Sequence, residues 1–332
     1  MGVNLRSPDD RVIIKSLEGF LSQMSGRKVT IPTLHRTPGE QSTSFRSEVL
    51  YVDLNDGSQL KIFLKDFGYS RLPKDGLEQR RERELRVYQD VIRKANLGTA
   101  KFYGSIWDES MDRYWLLLEF VEGDTLRDRG FDDWVRAVGW LGSMQNYFAQ
   151  HNDDLETSNF LVAHDRKFFW SKAELAVHSV CQISSSLAER LDHVLKRYDQ
   201  IVEVMSHQPR TFVHGSFRPQ NILVAANEEG ARICPIDWEL AGYGAPLYDF
   251  AFLADGFKPP EVDRLWDAYL QQFTDTPPPH QDKNEMTYLV DCIRLHKVIK
   301  SLSDSLSWKF PEETVAKLVG MVEELGRLLG LV

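Results

Sequence analysis

Hydrophobic periodicity changes once along this 332-residue chain, and that change constrains the fold more than any other feature. Up to about residue 120, apolar residues alternate with polar ones, the spacing of strands with one covered face. Glu48 to Leu54 puts Leu50, Val52 and Leu54 on one side. Asn55-Asp56-Gly57 then supplies residues that tolerate positive φ in a tight turn. Gln59 to Lys65 alternates again, with Leu60, Ile62 and Leu64 opposite Lys61, Phe63 and Lys65. These segments read as a hairpin. One helix is expected here, over Leu77 to Ala95 with Leu85, Tyr88 and Val91/Ile92 as its stripe. Lys101–Trp107 and Tyr114–Val121 are expected as two more strands.

After Gly123 the period becomes helical. Trp134, Val138, Leu141, Met144/Gln145 and Phe148 recur behind Asp132-Asp133, which is read as a capping pair. Leu187, Leu191, Val194/Leu195, Tyr198, Ile201/Val202 and Met205 read as one long helix. A short β insertion covers 211–237, and three helices are expected over Pro260–Phe273, Asn284–Trp308 and Glu312–Leu329. The loop signal from Thr274 to Lys283, with its three consecutive prolines, joins two of them. The pattern is α+β: a small β-rich lobe, 1–121, followed by a larger helical lobe, 122–332.

Composition narrows the function classes. A net charge of −9 with no strongly basic block argues against nucleic acid as the main partner and mildly favours a cationic small molecule. No apolar run approaches the ~20 residues of a membrane span, and residues 1–30 lack a secretory layout, so a cytoplasmic protein with no membrane partner is expected. Cys181, Cys234 and Cys292 have no paired spacing, which argues against disulfides and thiolate metal sites. Oligomeric state is open.

Chemistry concentrates in Val213-His214-Gly215-Ser216-Phe217-Arg218-Pro219-Gln220-Asn221-Ile222-Leu223-Val224, followed by Ile236-Asp237-Trp238-Glu239. A strand delivers a polar loop, a hairpin returns, and its end presents a carboxylate beside the loop's amide. An amide oxygen and an aspartate are hard ligands suited to Mg2+, which normally arrives with nucleotide phosphates.

This segment resembles the catalytic loop and the metal-binding segment of the aminoglycoside phosphotransferase and choline kinase group, a branch of the protein-kinase-like fold. The resemblance runs from about Thr30 to Phe252 and implies ATP or GTP with Mg2+ as cofactors. By this resemblance Asn221 and Asp237 are the Mg2+ ligands, and His214 braces the loop. Lys65 matches the lysine that holds the nucleotide phosphates, and Glu84 its helix partner. From the residues alone, Lys61 and Lys65 are equivalent candidates, and Glu84 among Arg80, Arg81, Arg83 and Arg86 could be a surface ion pair. Glu119 to Val121 matches the hinge whose backbone meets the base, with Glu119 and Val121 as its contacts. Asp249, in Tyr243-Gly244-Ala245-Pro246-Leu247-Tyr248-Asp249, matches an aspartate that is mainly structural. Asp66-Phe67-Gly68 copies a protein-kinase metal tripeptide but precedes any catalytic loop, and is read as a strand exit.

Two positions depart from the pattern. Ser216 stands where the family carries the aspartate that orients and deprotonates the acceptor hydroxyl. The phosphate-covering stretch, Gly39 to Arg46, has hydroxyls instead of repeated glycines, so Ser42 and Ser44, with Arg46, are its candidate phosphate contacts. The expectation is an ATP-dependent phosphotransferase acting on a small-molecule hydroxyl, aminoglycoside-, amino-alcohol- or nucleoside-like. Glu239 is a candidate replacement base, and Asp153 and Asp154 could attract a cation. The alternative is a nucleotide-binding, pseudokinase-like protein, or another group transfer on the same fold.

Overall fold

The computed structural model describes residues 9–39, 44–70, 74–151, 154–227, 230–274 and 277–332, with backbone alone for Tyr69 and Asn227. The chain divides into two units, Met1–Gly123 and Asp124–Val332.

In the first unit β1 (Thr33–Pro38), β2 (Phe45–Asp53), β3 (Gln59–Ser70), β4 (Phe102–Asp108) and β5 (Arg113–Glu119) form one antiparallel sheet, ordered β1-β2-β3-β5-β4. The expected hairpin is β2–β3, in register from Asp53↔Gln59, and its turn uses Gly57 at φ 84°. Leu50, Val52, Ile62, Leu64, Trp115 and Leu117 share a core with Ile13, Leu17 and Leu21 of α1 (Asp10–Ser25). Alternation therefore turns Lys65 to the opposite face from Leu64. On that face α2 (Leu77–Arg86) brings Glu84 to it.

Three expectations for this unit need correction. Helix α1, capped by the Asp9 side chain and ended by Gly26 at φ 68°, was not foreseen, nor was β1. The helix expected to Ala95 is α-helical only to Arg86, then passes through a wide turn at Val87–Val91 and a tight one at Ile92–Lys94. Asp66-Phe67-Gly68 is not a strand exit, because β3 continues to Ser70.

The second unit contains β6 (Asp124–Thr125), α3 (Phe131–Gln150), β7 (Val162–Ala163), α4 (Arg166–Ile183), α5 (Ser185–Leu195), α6 (Tyr198–Ser206), β8 (Thr211–Val213), β9 (Ile222–Asn227), β10 (Gly230–Pro235), β11 (Gly242–Gly244), α7 (Leu247–Leu253), α8 (Glu261–Leu270), α9 (Lys283–Ser303) and α10 (Glu312–Leu328). Helix α9 packs on α4, α7 and α10, and α3 packs on α8. Two three-stranded sheets, β10-β9-β6 and β7-β11-β8, hold the inserted loop. The long helix expected across 187–205 is two helices, broken at Arg197 (φ −113°). Asp132-Asp133 does not cap α3, whose N-cap is Gly130. Asp133 instead accepts from Arg129 Nε at 2.9 Å and Arg136 Nη1 at 2.6 Å. Among the described residues, no helix is long and apolar enough to cross a membrane.

Candidate active site

The first unit contributes a buried ion pair. Lys65 Nζ donates to both carboxylate oxygens of Glu84, at 2.9 and 2.7 Å, with 10% of the lysine side chain and 2% of the glutamate side chain exposed. The rings of Phe45 and Phe67 lie 5.3 and 5.1 Å from the ammonium. In a site this dry, removing one member of an ion pair costs far more than its net worth in water. Lys61 is set apart from it: its ammonium lies 4.1 Å from the Phe120 ring and donates to the exposed Glu122 at 2.5 Å.

The other candidates in this unit are less defined. Glu119 closes β5; its N–H donates to the Lys101 carbonyl at 2.8 Å, and its Oε2 accepts from Lys101 N–H at 3.0 Å. Phe120 N–H donates to the Lys61 carbonyl, and Val121 is buried beyond it. Ser44 sits at the bend before β2, while Ser42 lies outside the described residues. Arg46 Nη2 donates to Glu48 Oε1 at 2.8 Å.

In the second unit β8 runs into the loop His214–Asn221, and β9–β10 returns the chain to Ile236-Asp237. Ile236 N–H donates to the Asn221 carbonyl at 2.9 Å, one step beyond the last registered pair of the hairpin, Pro235↔Ile222. This bond sets Asn221 beside the residue that precedes Asp237. Asn221 Nδ2 donates to the Ser216 carbonyl at 3.0 Å, so the amide oxygen is the face left for a cation. Asp237 is in the left-handed region, φ 68° and ψ 58°, a conformation that costs a non-glycine residue about 1–2 kcal/mol and is tolerated where the surroundings enforce it. An amide oxygen and a carboxylate fit the donor set of Mg2+.

His214 ties the loop to that strand. Ser216 N–H donates to His214 Nδ1 at 3.3 Å, which assigns the ring proton to Nε2, and Nε2–H donates to the Ile236 carbonyl at 2.9 Å. Burial pushes the imidazole down to about 4, against the pull of its Ile236 hydrogen bond and of Asp237. A neutral ring with both nitrogens engaged is a brace and not a general base.

Asp249 of α7 is the second brace. It is fully buried, and its Oδ2 and Oδ1 accept from the backbone N–H groups of His214 at 2.6 Å and Gly215 at 2.9 Å. Burial pushes this carboxyl up to about 7, opposed by N–H bonds from His214, Gly215 and Phe217. Gly215 is at φ 76°, and a Cβ there would stand 2.0 Å from the Leu240 carbonyl oxygen, so no other residue fits without moving backbone.

Ser216 is half-buried, with Oγ 3.4 Å from Asn221 Nδ2. Glu239 is buried in the turn Trp238–Leu240. Asp154 is exposed, and Asp153 lies outside the described residues. Sequence reasoning missed Arg294, Lys297 and Asp255, which line a cavity adjoining this loop. No motif marks them, since on α9 the two bases resemble ordinary solvated helix positions.

Residues 52–282 match the family model described as the phosphotransferase enzyme family. The chain belongs to that family. Its fold is protein-kinase-like, as its structural neighbours show. Choline kinase from Cryptosporidium parvum Iowa II is 14% identical, with 98% of each chain covered and a TM-score of 0.62. Macrolide 2′-phosphotransferase MphH from Brachybacterium faecium is 16% identical, with 92% of this chain and 97% of that one covered and a TM-score of 0.55. A thermostable mutant of aminoglycoside phosphotransferase APH(4)-Ia, in ternary complex with ADP and hygromycin B, is 17% identical over 94% and 98% of the two chains, with a TM-score of 0.52. Among curated protein sequences none matches the chain.

Proposed function

We propose that this phosphotransferase moves the γ-phosphoryl group of ATP or GTP to a hydroxyl of a small molecule, amino-alcohol-, aminoglycoside- or nucleoside-like. The observation that supports the proposal is the latch of the loop to Ile236: the Asn221 carbonyl accepts from Ile236 N–H, and His214 Nε2 bonds the Ile236 carbonyl, one residue before Asp237. Family membership and a neighbour's ADP complex support nucleotide use. The net charge of −9 suits an acceptor with an amine.

In this reading Lys65, held by Glu84, binds the α- and β-phosphates. Glu119 and Val121 offer backbone groups to the base, and Ser44, with Ser42, meets phosphate oxygens. Asn221 and Asp237 hold Mg2+, which when bound neutralises charge on the β- and γ-phosphate oxygens. Ser216 orients the acceptor hydroxyl by a hydrogen bond but cannot take its proton near neutral pH. A positioned base is worth about 10²–10⁴-fold. Phosphoryl transfer depends mainly on positioning and charge stabilisation, so Ser216 predicts slow turnover before it predicts none.

Nucleotide consumption should be measured with Mg·ATP and Mg·GTP over amino-sugars, nucleosides and amino-alcohols, for the native chain and Ser216→Asp. Expected are slow turnover on one acceptor class and a gain of about 10²–10⁴-fold in the variant. Ser216 itself motivates the second reading, a nucleotide-binding protein without transfer. Nucleotide binding with no turnover by either chain on any acceptor would select it.

A further inference from the structure

The second unit holds a cavity of about 640 Å³, within the range of small-molecule sites. Arg218, Pro219 and Gln220 of the catalytic loop form one wall, beginning two residues after Ser216. Helices α9 and α10 form the others, with Val298, Leu318 and Leu325 as apolar surface. Into this space come three cations: Arg218, Arg294 and Lys297.

Lys297 and Arg294 line the inner part of the cavity, with side chains 14% and 27% exposed, and Arg218 stands at its exposed edge. Asp255, 3.6 Å from Lys297 Nζ and 3.7 Å from Arg294 Nε, is 62% exposed, while Asp291, outside the lining and 13% exposed, pairs with Arg294. Glu324, also exposed, is the second carboxylate of the lining. Part of this arrangement has a structural purpose. Lys297 Nζ donates to the Ala251 carbonyl at 2.9 Å and Arg294 Nη2 to that of Ala254 at 3.2 Å, which satisfies the end of α7. Arg294 Nη1 is also bonded, to Asp291 at 3.0 Å. Two features lie beyond this capping. Arg294 Nε is buried with no hydrogen-bond acceptor among the described residues, and Arg218 adds a third cation, its guanidinium 5.2 Å from the Phe252 ring. Burial pushes the Lys297 ammonium down to about 8; Asp255 opposes this, and the charges of Arg218 and Arg294 add to it. An anion held between Lys297, Arg294 and the exposed Arg218 would take charge-assisted hydrogen bonds, which are stronger than neutral ones.

We propose that the acceptor carries an anionic group, a phosphate or a carboxylate, which Lys297, Arg294 and Arg218 bind in this cavity while its hydroxyl is presented to Ser216. The proposal rests on reading this unit as the acceptor side of the phosphotransferase. It specifies the anion, and an amine on the same molecule is compatible with it.

The test uses the full chain and two matched probe pairs: glycerol 3-phosphate against glycerol, and L-serine against ethanolamine. Titration calorimetry is run on the native chain, Lys297→Met and Arg218→Gln, beside the thermal shift of each with Mg·ATP. The anionic member of one pair is expected to bind at least about tenfold tighter than its counterpart. Both substitutions should remove that advantage, and both variants should keep the Mg·ATP shift. The pair that discriminates identifies phosphate or carboxylate as the source. No anionic advantage in either pair, or an advantage that survives both substitutions, overturns the proposal. A native chain that Mg·ATP does not stabilise would instead refute the proposed nucleotide site, whatever the probes do.

Discussion

The two units hold their chemical groups by different means. In the first, charge is held by charge: Lys65 and Glu84 sit in a dry environment and each holds the other. In the second, the groups assigned to Mg2+ sit on a backbone fixed by other residues. Asp249 takes the N–H groups at the start of the loop, and His214 joins its middle to Ile236. The difference separates function from stability in opposite ways. A candidate residue of the first unit is also structural, whereas Asn221 and Asp237 sit on a backbone that His214 and Asp249 brace.

The sharpest way to break this comparison is Asp249→Ala. Three buried backbone N–H groups lose their acceptor, at about 1–3 kcal/mol each, so a loss of about 3–9 kcal/mol is expected in denaturant unfolding. A variant as stable as the native chain would show that the loop holds itself. Next comes the ion pair. Glu84→Ala should cost about 3–5 kcal/mol by removing the carboxylate that accepts from the buried Lys65 ammonium, and the double variant Lys65→Met with Glu84→Met should recover most of it. If the double variant were worse than either single one, the claim that each charge holds the other would be wrong.

A smaller effect concerns pH. Burial holds His214 down to about 4, so between that value and 6.5 the unfolded chain binds the proton and the native one does not. Stability is therefore full above 6.5 and is lost as pH falls, by about 2 kcal/mol between 6.5 and 5 for this ring. His164, held down to about 3 by burial, and His296, lowered likewise, add to the loss in the same unit. Asp249 works in the opposite sense, since burial keeps it protonated up to about 7. Segment-resolved amide exchange at pH 7 and pH 5 should show weakened protection over 211–237, with a shallower pH dependence in His214→Gln. An equal slope in native and variant chains would remove His214 as the cause.

Much of this arrangement was legible in the residues, and the parts that were not have physical reasons. Strict alternation over Gln59 to Lys65 defined β3 and placed Ile62 and Leu64 against Lys65. Helix α1 was overlooked although its signals are present: Asp9 as cap, Ile13, Leu17 and Leu21 four apart, and Gly26 at its end. The break between α5 and α6 leaves no such mark, because the apolar spacing continues through Tyr198 and neither glycine nor proline stands at Arg197. Among the candidate site residues, the offset from Ser216 to Asn221 and the acid after Ile236 were readable because they are local. Lys297 and Arg294 were not, since their meaning comes from α7 and the catalytic loop, which are distant in sequence.

The central proposal is that Asn221 and Asp237 carry the divalent cation of a bound nucleotide on a loop that His214 and Asp249 brace. Melting of the native chain and of Asp237→Ala, with ATP alone and with Mg·ATP, tests it most directly. The native chain should gain stability from Mg·ATP beyond that from ATP alone, and Asp237→Ala should show no Mg2+-dependent gain. An Asp237→Ala chain that Mg·ATP stabilises as fully as the native one would contradict the account.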